Sequence, residues 1–217
     1  EIMSSDWSSD VCSSDLVPTR GMGLWRGEYN GIGVGWHSPV RGPVHPALVN
    51  EQERGGLGWL RGFDETIVRC GLESNGAPCR DTVTNNMGQP AEVDLTLHGR
   101  IANTPASFVA VAVVDDTIVV IGAVCETGLF LPQLRLTTRI TTSLGSNAVA
   151  IEDTVTNEKS TESEMQLLYH CNFGPPLLEA GAELEIPARL VAPRDNRAAE
   201  GIEAYAVYAP PTNGYIE

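Results

Sequence analysis

Basic and aromatic side chains are scarce in this sequence. Lys and Arg number 14 against 28 Asp and Glu, which gives a formal net charge of −14. Such a surface repels phosphate backbones, so we expect no nucleic-acid partner and favour a neutral or lightly charged ligand. Aromatic residues make up only 6% of the chain, whereas 22 Gly and 14 Pro occur among recurring Val, Ile and Thr. This composition favours short strands and turns over a helical bundle.

Long apolar runs and paired cysteines are also missing. No apolar run approaches the length of a membrane span, so we expect no membrane partner. The five cysteines are scattered and form no CxxC pair, which argues against a zinc site or a disulfide framework. We therefore expect free thiols, no metal, and a reducing, cytoplasmic location. The cysteines are Cys12, Cys70, Cys79, Cys125 and Cys171.

The first fifteen residues, EIMSSDWSSDVCSSD, contain Ser-Ser-Asp three times and follow no helical or strand period. The segment resembles the translation of a sequencing adapter, and the alternative is a natural disordered acidic tail. We therefore expect residues 1–15 to be a non-native or disordered leader. Residues 16–217 are expected to form one domain.

Alternating apolar residues predict an all-β, antiparallel domain. A two-residue period is typical of a half-buried strand, and turn residues such as DDT and SLGSN join neighbouring runs into hairpins. Residues 80–92 are predicted to be a loop, and IEAYAVYAP to be a last strand. The other predicted strands are Thr66–Cys70, Val93–Leu97, Phe108–Val114, Ile118–Val124, Leu134–Thr142, Ala148–Thr156 and Glu164–Cys171.

Two histidine-containing stretches are the strongest candidates for a functional site. LHGRIANTP, residues 97–105, holds His98, Arg100 and Asn103 in a turn-like setting, and LLYHCNFGPP holds His170 on a predicted strand. Without further context, His98 could simply cap a strand end and His170 could be a satisfied core histidine. If the two imidazoles converge, they could form part of an acid–base site.

LHGRIANTPA, then LLYHCNFGPPLLEAG, then a PRD loop, resemble the aldose 1-epimerase (galactose mutarotase-like) superfamily. The blocks VPTRGMGLWRGEYNG, GWHSP and CGLESNGAP resemble its bacterial branch named only as an aldose 1-epimerase family protein. The resemblance implies an antiparallel β-supersandwich with a sugar cleft on one face. It also implies a small-molecule sugar as partner and no cofactor.

The resemblance further implies a role for each candidate residue. Mutarotation needs a base at the anomeric hydroxyl and an acid at the ring oxygen, and histidine suits the acid because both of its protonation states are accessible near neutral pH. His170 corresponds to the acid, and His98 to a histidine that hydrogen-bonds the sugar. Arg100, Asn103 and Glu217 are the further candidates for binding sugar hydroxyls.

The glutamate that serves as base in the resembling family has no counterpart in this sequence. We therefore expect the domain to be truncated at its C-terminus before that residue, and residues 16–217 not to accelerate mutarotation by themselves. Two functions remain open at this point. One is an aldose 1-epimerase-like isomerase whose full-length parent supplies the base, and the other is a carbohydrate-binding β-sandwich without turnover.

Overall fold

The computed structural model describes residues 12–214 and the short strand Met3–Ser4 (β1), and strands dominate it. Two short helices, α1 (Glu53–Gly56) and α2 (Asn196–Glu200), and four 3-10 turns accompany the strands. The turns are Pro46–Leu48, Gly58–Arg61, Ile101–Asn103 and Ile202–Ala204. The other strands are β2 (Cys12–Val17), β3 (Gly23–Tyr29), β4 (Ile32–Val34), β5 (Ile67–Leu72), β6 (Cys79–Thr84), β7 (Pro90–Leu95), β8 (Phe108–Val114), β9 (Thr117–Thr127), β10 (Gln133–Ser143), β11 (Ala150–Asn157) and β12 (Gln166–Cys171).

The described strands pair into three antiparallel sheets. The largest has the order β1-β2-β3-β5-β12, with β4 added beside β3. A second sheet has the order β11-β10-β9-β8, and β6 and β7 form a separate hairpin. These pairings confirm the prediction of an all-β, antiparallel fold, including the hairpins β8–β9 and β10–β11.

The chain divides into two compact units, residues 1–172 and residues 173–217. All three sheets lie in the first unit. There, side chains from the two larger sheets share one buried cluster, which is the core of a β-sandwich. The fully buried members of this cluster are Met22, Leu72, Ile101, Val124, Leu134 and Leu136.

Strand β10 shows why the alternating pattern was informative. Leu134, Leu136, Thr138 and Ile140 are buried in turn, while the residues between them are more exposed. Successive side chains of a strand point to opposite faces, so a two-residue period selects the face that packs against the core. Strand β5 differs, because five of its six residues are buried and it therefore shows no clear alternation.

A buried ion pair connects the two larger sheets. The Arg69 guanidinium on β5 donates to both carboxylate oxygens of Asp153 on β11, at 2.5 Å and 2.9 Å. It also donates to the Met22 carbonyl oxygen and to the Thr138 hydroxyl on β10. Tyr169 on β12 donates its phenolic hydrogen to Asp153 at 2.8 Å. Each polar atom of the pair thus has a partner away from water, as buried charges require.

One secondary-structure prediction in the first unit was wrong. Residues 80–92 contain β6 and the start of β7, not a loop. This hairpin is largely exposed and polar, so it lacks an apolar face that would reveal it, and the Asn85 side-chain oxygen fixes its turn by accepting from the Met87 and Gln89 amides. The predicted leader boundary at residue 15 falls inside β2, which pairs with β3 from Cys12 onward. The remainder of the leader lies largely outside the described residues.

The second unit contains no strand where IEAYAVYAP predicted one. Asp195 caps α2 by accepting from the Ala198 amide, and the chain then turns at Ile202–Ala204. The Val207 amide donates back to the Ala204 carbonyl, which bends the backbone away from an extended path. Within the described residues, the only β-type pairing of this segment is one bridge between Glu183 and Val207. The alternating apolar residues of IEAYAVYAP therefore do not pack on a sheet.

In the part of the chain that the structure describes, no helix is long and apolar enough to cross a membrane.

Candidate functional site

Strand β5 positions the first candidate residue, His170. In the antiparallel pair of β12 and β5, His170 lies opposite Val68 and Tyr169 lies opposite Arg69. Alternation therefore places His170 and Val68 on one face and the Tyr169–Arg69 pair on the other. Val68 belongs to a second buried cluster with Trp59, Cys70 and Ala102, so His170 faces this cluster.

The same strand holds the turn that carries His98. The Gly71 amide donates to the His98 carbonyl at 3.0 Å, and the Arg100 amide donates to the Gly71 carbonyl at 3.0 Å. The His98 amide donates to the Gly76 carbonyl at 2.9 Å. His98 itself has φ = 60°, and Gly99 follows with φ = 70°. Two successive left-handed residues make a tight turn, which a glycine at the second position permits.

The two imidazoles meet in a continuous set of aromatic rings. The ring centroids of His98 and His170 are 5.6 Å apart, with an interplanar angle of 80°. Trp59 lies 4.9 Å from the His98 ring and 6.0 Å from the His170 ring, and Phe63 lies 4.9 Å from His170. Trp36 continues the set through Phe63 at 4.9 Å. The rings of His98 and His170 therefore lie close together in the structure.

Both histidine residues are half-buried. Burial, and then the neighbouring His170, lower the pKa of His98 below its ordinary value. The lowered pKa favours the uncharged ring, and a neutral imidazole has one N–H donor and one acceptor nitrogen. Its Nδ1 atom lies 3.1 Å from the Asn75 amide oxygen.

Arg100 and Asn103 lie beside a different part of the surface from the histidine pair. With Pro46, Val49, Asn50, Glu51, Gln52 and Thr104 they line an open depression of about 390 Å³, whose lining includes neither His98 nor His170. Asn103 accepts from Arg20 at 2.6 Å and donates to Glu51 at 3.1 Å, so its amide already has protein partners. The Arg100 side chain is exposed, and its assignment to sugar binding stays a prediction, as does that of Asn103.

A group of carboxylates surrounds Arg100. Burial raises the pKa of Glu51, and burial and then the charge of Glu126 raise the pKa of Glu73, whereas Arg100 opposes both shifts. Glu126 accepts from the Leu72 and Glu73 amides at 3.0 Å each, so it fixes the chain just after β5. Arg100 therefore compensates negative charge in this region, whatever else it contacts.

A buried ion pair contacts Asn103 in the LHGRIANTP turn. The Arg20 and Glu65 side chains, 0% and 1% exposed, form an ion pair, and Arg20 also donates to Asn103. Glu65 in turn accepts from the Asp64 amide through its second carboxylate oxygen. Asn103 of the LHGRIANTP turn is thus linked to the buried core of the unit.

Three residues of this region were not predicted from the sequence, namely Trp59, Phe63 and Asn75. Asn75 lies in the block CGLESNGAP, and the family resemblance of that block was the available signal. Glu217 lies outside the described residues. Among the residues that the structure describes, no group of three or more His, Cys, Asp or Glu side chains is arranged to hold a metal ion.

Comparison with known proteins agrees with this architecture. A crystal structure of a "putative aldose 1-epimerase" from Klebsiella pneumoniae subsp. pneumoniae MGH 78578 is similar to this chain, with 39% sequence identity and a TM-score of 0.83. The similarity covers 94% of this chain and 52% of the other, so the chain spans about half the length of that protein. It confirms a galactose mutarotase-like β-sandwich.

Two further comparisons concern sequence. No curated protein matches this chain. The profile of a family described as Domain of unknown function (DUF4432) matches residues 7–217, so the chain belongs to the DUF4432 family.

Proposed function

We propose that this protein binds an aldose at the His98–His170 pair and that its chemistry is the acid–base interconversion of sugar anomers, with His170 as the proton donor. The observation that carries the proposal is the convergence of two half-buried imidazoles at a ring separation of 5.6 Å. The likeness to the Klebsiella protein supports the same class of chemistry.

The reaction explains why two proton carriers should stand this close together. In a pyranose, the anomeric hydroxyl oxygen and the ring oxygen are bonded to the same carbon. Ring opening removes a proton from the first oxygen and adds one to the second, so the two groups that exchange protons must lie on either side of one atom. Each positioned group contributes roughly 10²- to 10⁴-fold to such a step.

A second candidate function is sugar binding without turnover. Among the described residues, no carboxylate hydrogen-bonds either imidazole, whereas such a contact would favour the charged form of the ring. A site without a base would still bind a sugar through the two ring edges. The two functions share the same site and differ only in whether anomers interconvert.

Binding is tested by saturation-transfer NMR with a panel of neutral aldoses and the whole chain. We expect signal transfer to at least one aldose, and His170→Ala should weaken its binding by about tenfold, the cost of one hydrogen bond to the ligand. His37→Ala is the matched control, because His37 is exposed and distant in sequence from both motifs. Absence of transfer to any aldose would contradict both candidate functions.

Polarimetry of freshly dissolved α-glucose or α-galactose then distinguishes the isomerase from the sugar-binding protein without turnover. Acceleration that His170→Ala removes supports the isomerase. Binding without any acceleration by this chain supports the carbohydrate-binding function.

A further inference from the structure

Asn75 is the one side chain that hydrogen-bonds a ring nitrogen of the histidine pair among the described residues. It lies between β5 and β6, in the loop whose Gly76 carbonyl also accepts from the His98 amide at 2.9 Å. The loop therefore holds both the backbone and the ring of His98. A side chain fixed in this way can determine which nitrogen of the imidazole carries the hydrogen.

We infer that Asn75 holds His98 in the tautomer protonated at Nδ1, so that Nε2 is the acceptor for the proton of the anomeric hydroxyl. This inference rests on the proposed function for its substrate, but not for the tautomer. An amide oxygen can only accept, so its 3.1 Å contact with Nδ1 requires hydrogen on that nitrogen. The other nitrogen of the neutral ring then has a free lone pair.

The surroundings of His98 favour the neutral form that this role needs. Trp59 packs against the ring edge at 4.9 Å, and His170 at 5.6 Å is the titratable group that faces it. Burial, and then His170, lower the pKa of His98. A ring that stays uncharged near neutral pH keeps its acceptor nitrogen available.

With these roles the step is balanced without another reagent. The anomeric O–H proton moves to His98 Nε2, and its electron pair forms the C1=O1 carbonyl bond. The C1–O5 bond breaks, its electron pair goes to O5, and His170 protonates that oxygen. On closure O5 attacks the other face of C1, its proton returns to His170, the electron pair of the C1=O1 bond goes back to O1, and His98 returns its proton to O1. In this step His98 is the proton acceptor, and Asn75 is its positioning residue.

The test is a two-bond ¹H–¹⁵N correlation spectrum of the whole chain above the pKa of ordinary histidines. The chain has four histidines, so single substitutions assign every ring. His45 is an internal reference of the opposite tautomer, because its Nδ1 accepts from the Ala47 amide. We expect His98 to be protonated at Nδ1, and Asn75→Ala to shift it towards the Nε2-protonated form. Asn147→Ala, at an exposed asparagine, is the matched control and should leave the ring unchanged.

A second variant keeps the inference testable if Asn75→Ala does not fold. Asn75→Asp retains the acceptor and adds a negative charge, so it should keep Nδ1 protonated and raise the titration midpoint of His98 by about one pH unit. Hydrogen on Nε2 in the wild type, or an unmoved midpoint in Asn75→Asp, would overturn the role of Asn75. An aldose that binds without moving the His98 Nε2 resonance would overturn the acceptor role. Absence of aldose binding would instead count against the proposed function, while the tautomer result would stand.

Discussion

Replacing Asp153 with asparagine is expected to lower the free energy of unfolding by about 3–5 kcal/mol, because it leaves the Arg69 guanidinium buried without a counter-charge. Both side chains of the pair are 1% exposed. Asparagine has nearly the shape of aspartate, so the loss reports on charge and hydrogen bonding and not on a cavity. Urea denaturation at pH 7, followed by tryptophan fluorescence, measures it.

The same contacts predict how this contribution depends on pH. Burial alone would raise the pKa of Asp153, but the hydrogen bonds and positive charge of Arg69, with Thr138 and Tyr169, lower it overall. A carboxyl whose pKa is lower in the folded state stabilises the protein above the unfolded pKa, near 4, and loses that effect as the pH falls through the folded value. The difference between wild type and Asp153→Asn should therefore shrink below about pH 4.

An exposed ion pair provides the control for this prediction. Arg80 and Asp94 pair across the β6–β7 hairpin at 3.3 Å, with side chains 67% and 73% exposed. Asp94→Asn makes the same chemical change in water and should alter stability by less than about 1 kcal/mol. Equal losses for Asp94→Asn and Asp153→Asn would show that burial of the Arg69 pair has no special effect.

The strands of the four-stranded sheet, β8 to β11, were predictable from the sequence. Phe108–Val114 has the same bounds in the structure as in the prediction, and the predicted runs at 118–124, 134–142 and 148–156 lie within or overlap β9, β10 and β11. Burial on one face imposes a two-residue period on the amino-acid sequence. The exposed β6–β7 hairpin is under no such constraint, so its polar residues looked like a loop.

The candidate site was predictable only in part, since its geometry depends on long-range pairing. His98 and His170 were identified by residue type and by family resemblance. Their convergence arises from β5, which pairs with β12 through Val68 and anchors the His98 turn through Gly71. No local pattern encodes those pairings. The same holds for Asn75, whose importance depends on where its loop folds against His98.

A buried polar network explains why the surroundings of Asn103 could not be predicted from the sequence. Arg20 and Glu65 carry charges that normally predict exposure, yet both are fully buried because they pair with each other. Asn103 joins this network through Arg20, a partner distant in the sequence. The Asn103 amide has two N–H donors, so it can contact Glu51 and still donate to a sugar, whereas the Arg100 side chain is exposed.

Gly99 is the position where a single added methyl group should damage both stability and the site. A Cβ atom there would lie 2.3 Å from the Ser74 carbonyl oxygen and 2.5 Å from that of Gly71, both of them backbone atoms. Its φ of 70° adds strain for any L side chain. Together, these effects should make Gly99→Ala lose about 2–5 kcal/mol of unfolding free energy. The loop 74–76 must also move away from the turn, which separates Asn75 from the His98 ring.

Gly145→Ala isolates the conformational part of that loss. Gly145 has φ = 79°, and nothing lies within 4 Å of the position its Cβ would take. Its substitution should therefore cost only about 1–2 kcal/mol, the penalty for a left-handed L residue. Urea denaturation compares the two variants, and the His98 ring nitrogens show whether Asn75 is still in contact. If Gly99→Ala cost no more than Gly145→Ala and left the His98 tautomer unchanged, the close approach of Gly99 to β5 could not be what holds the histidine pair together.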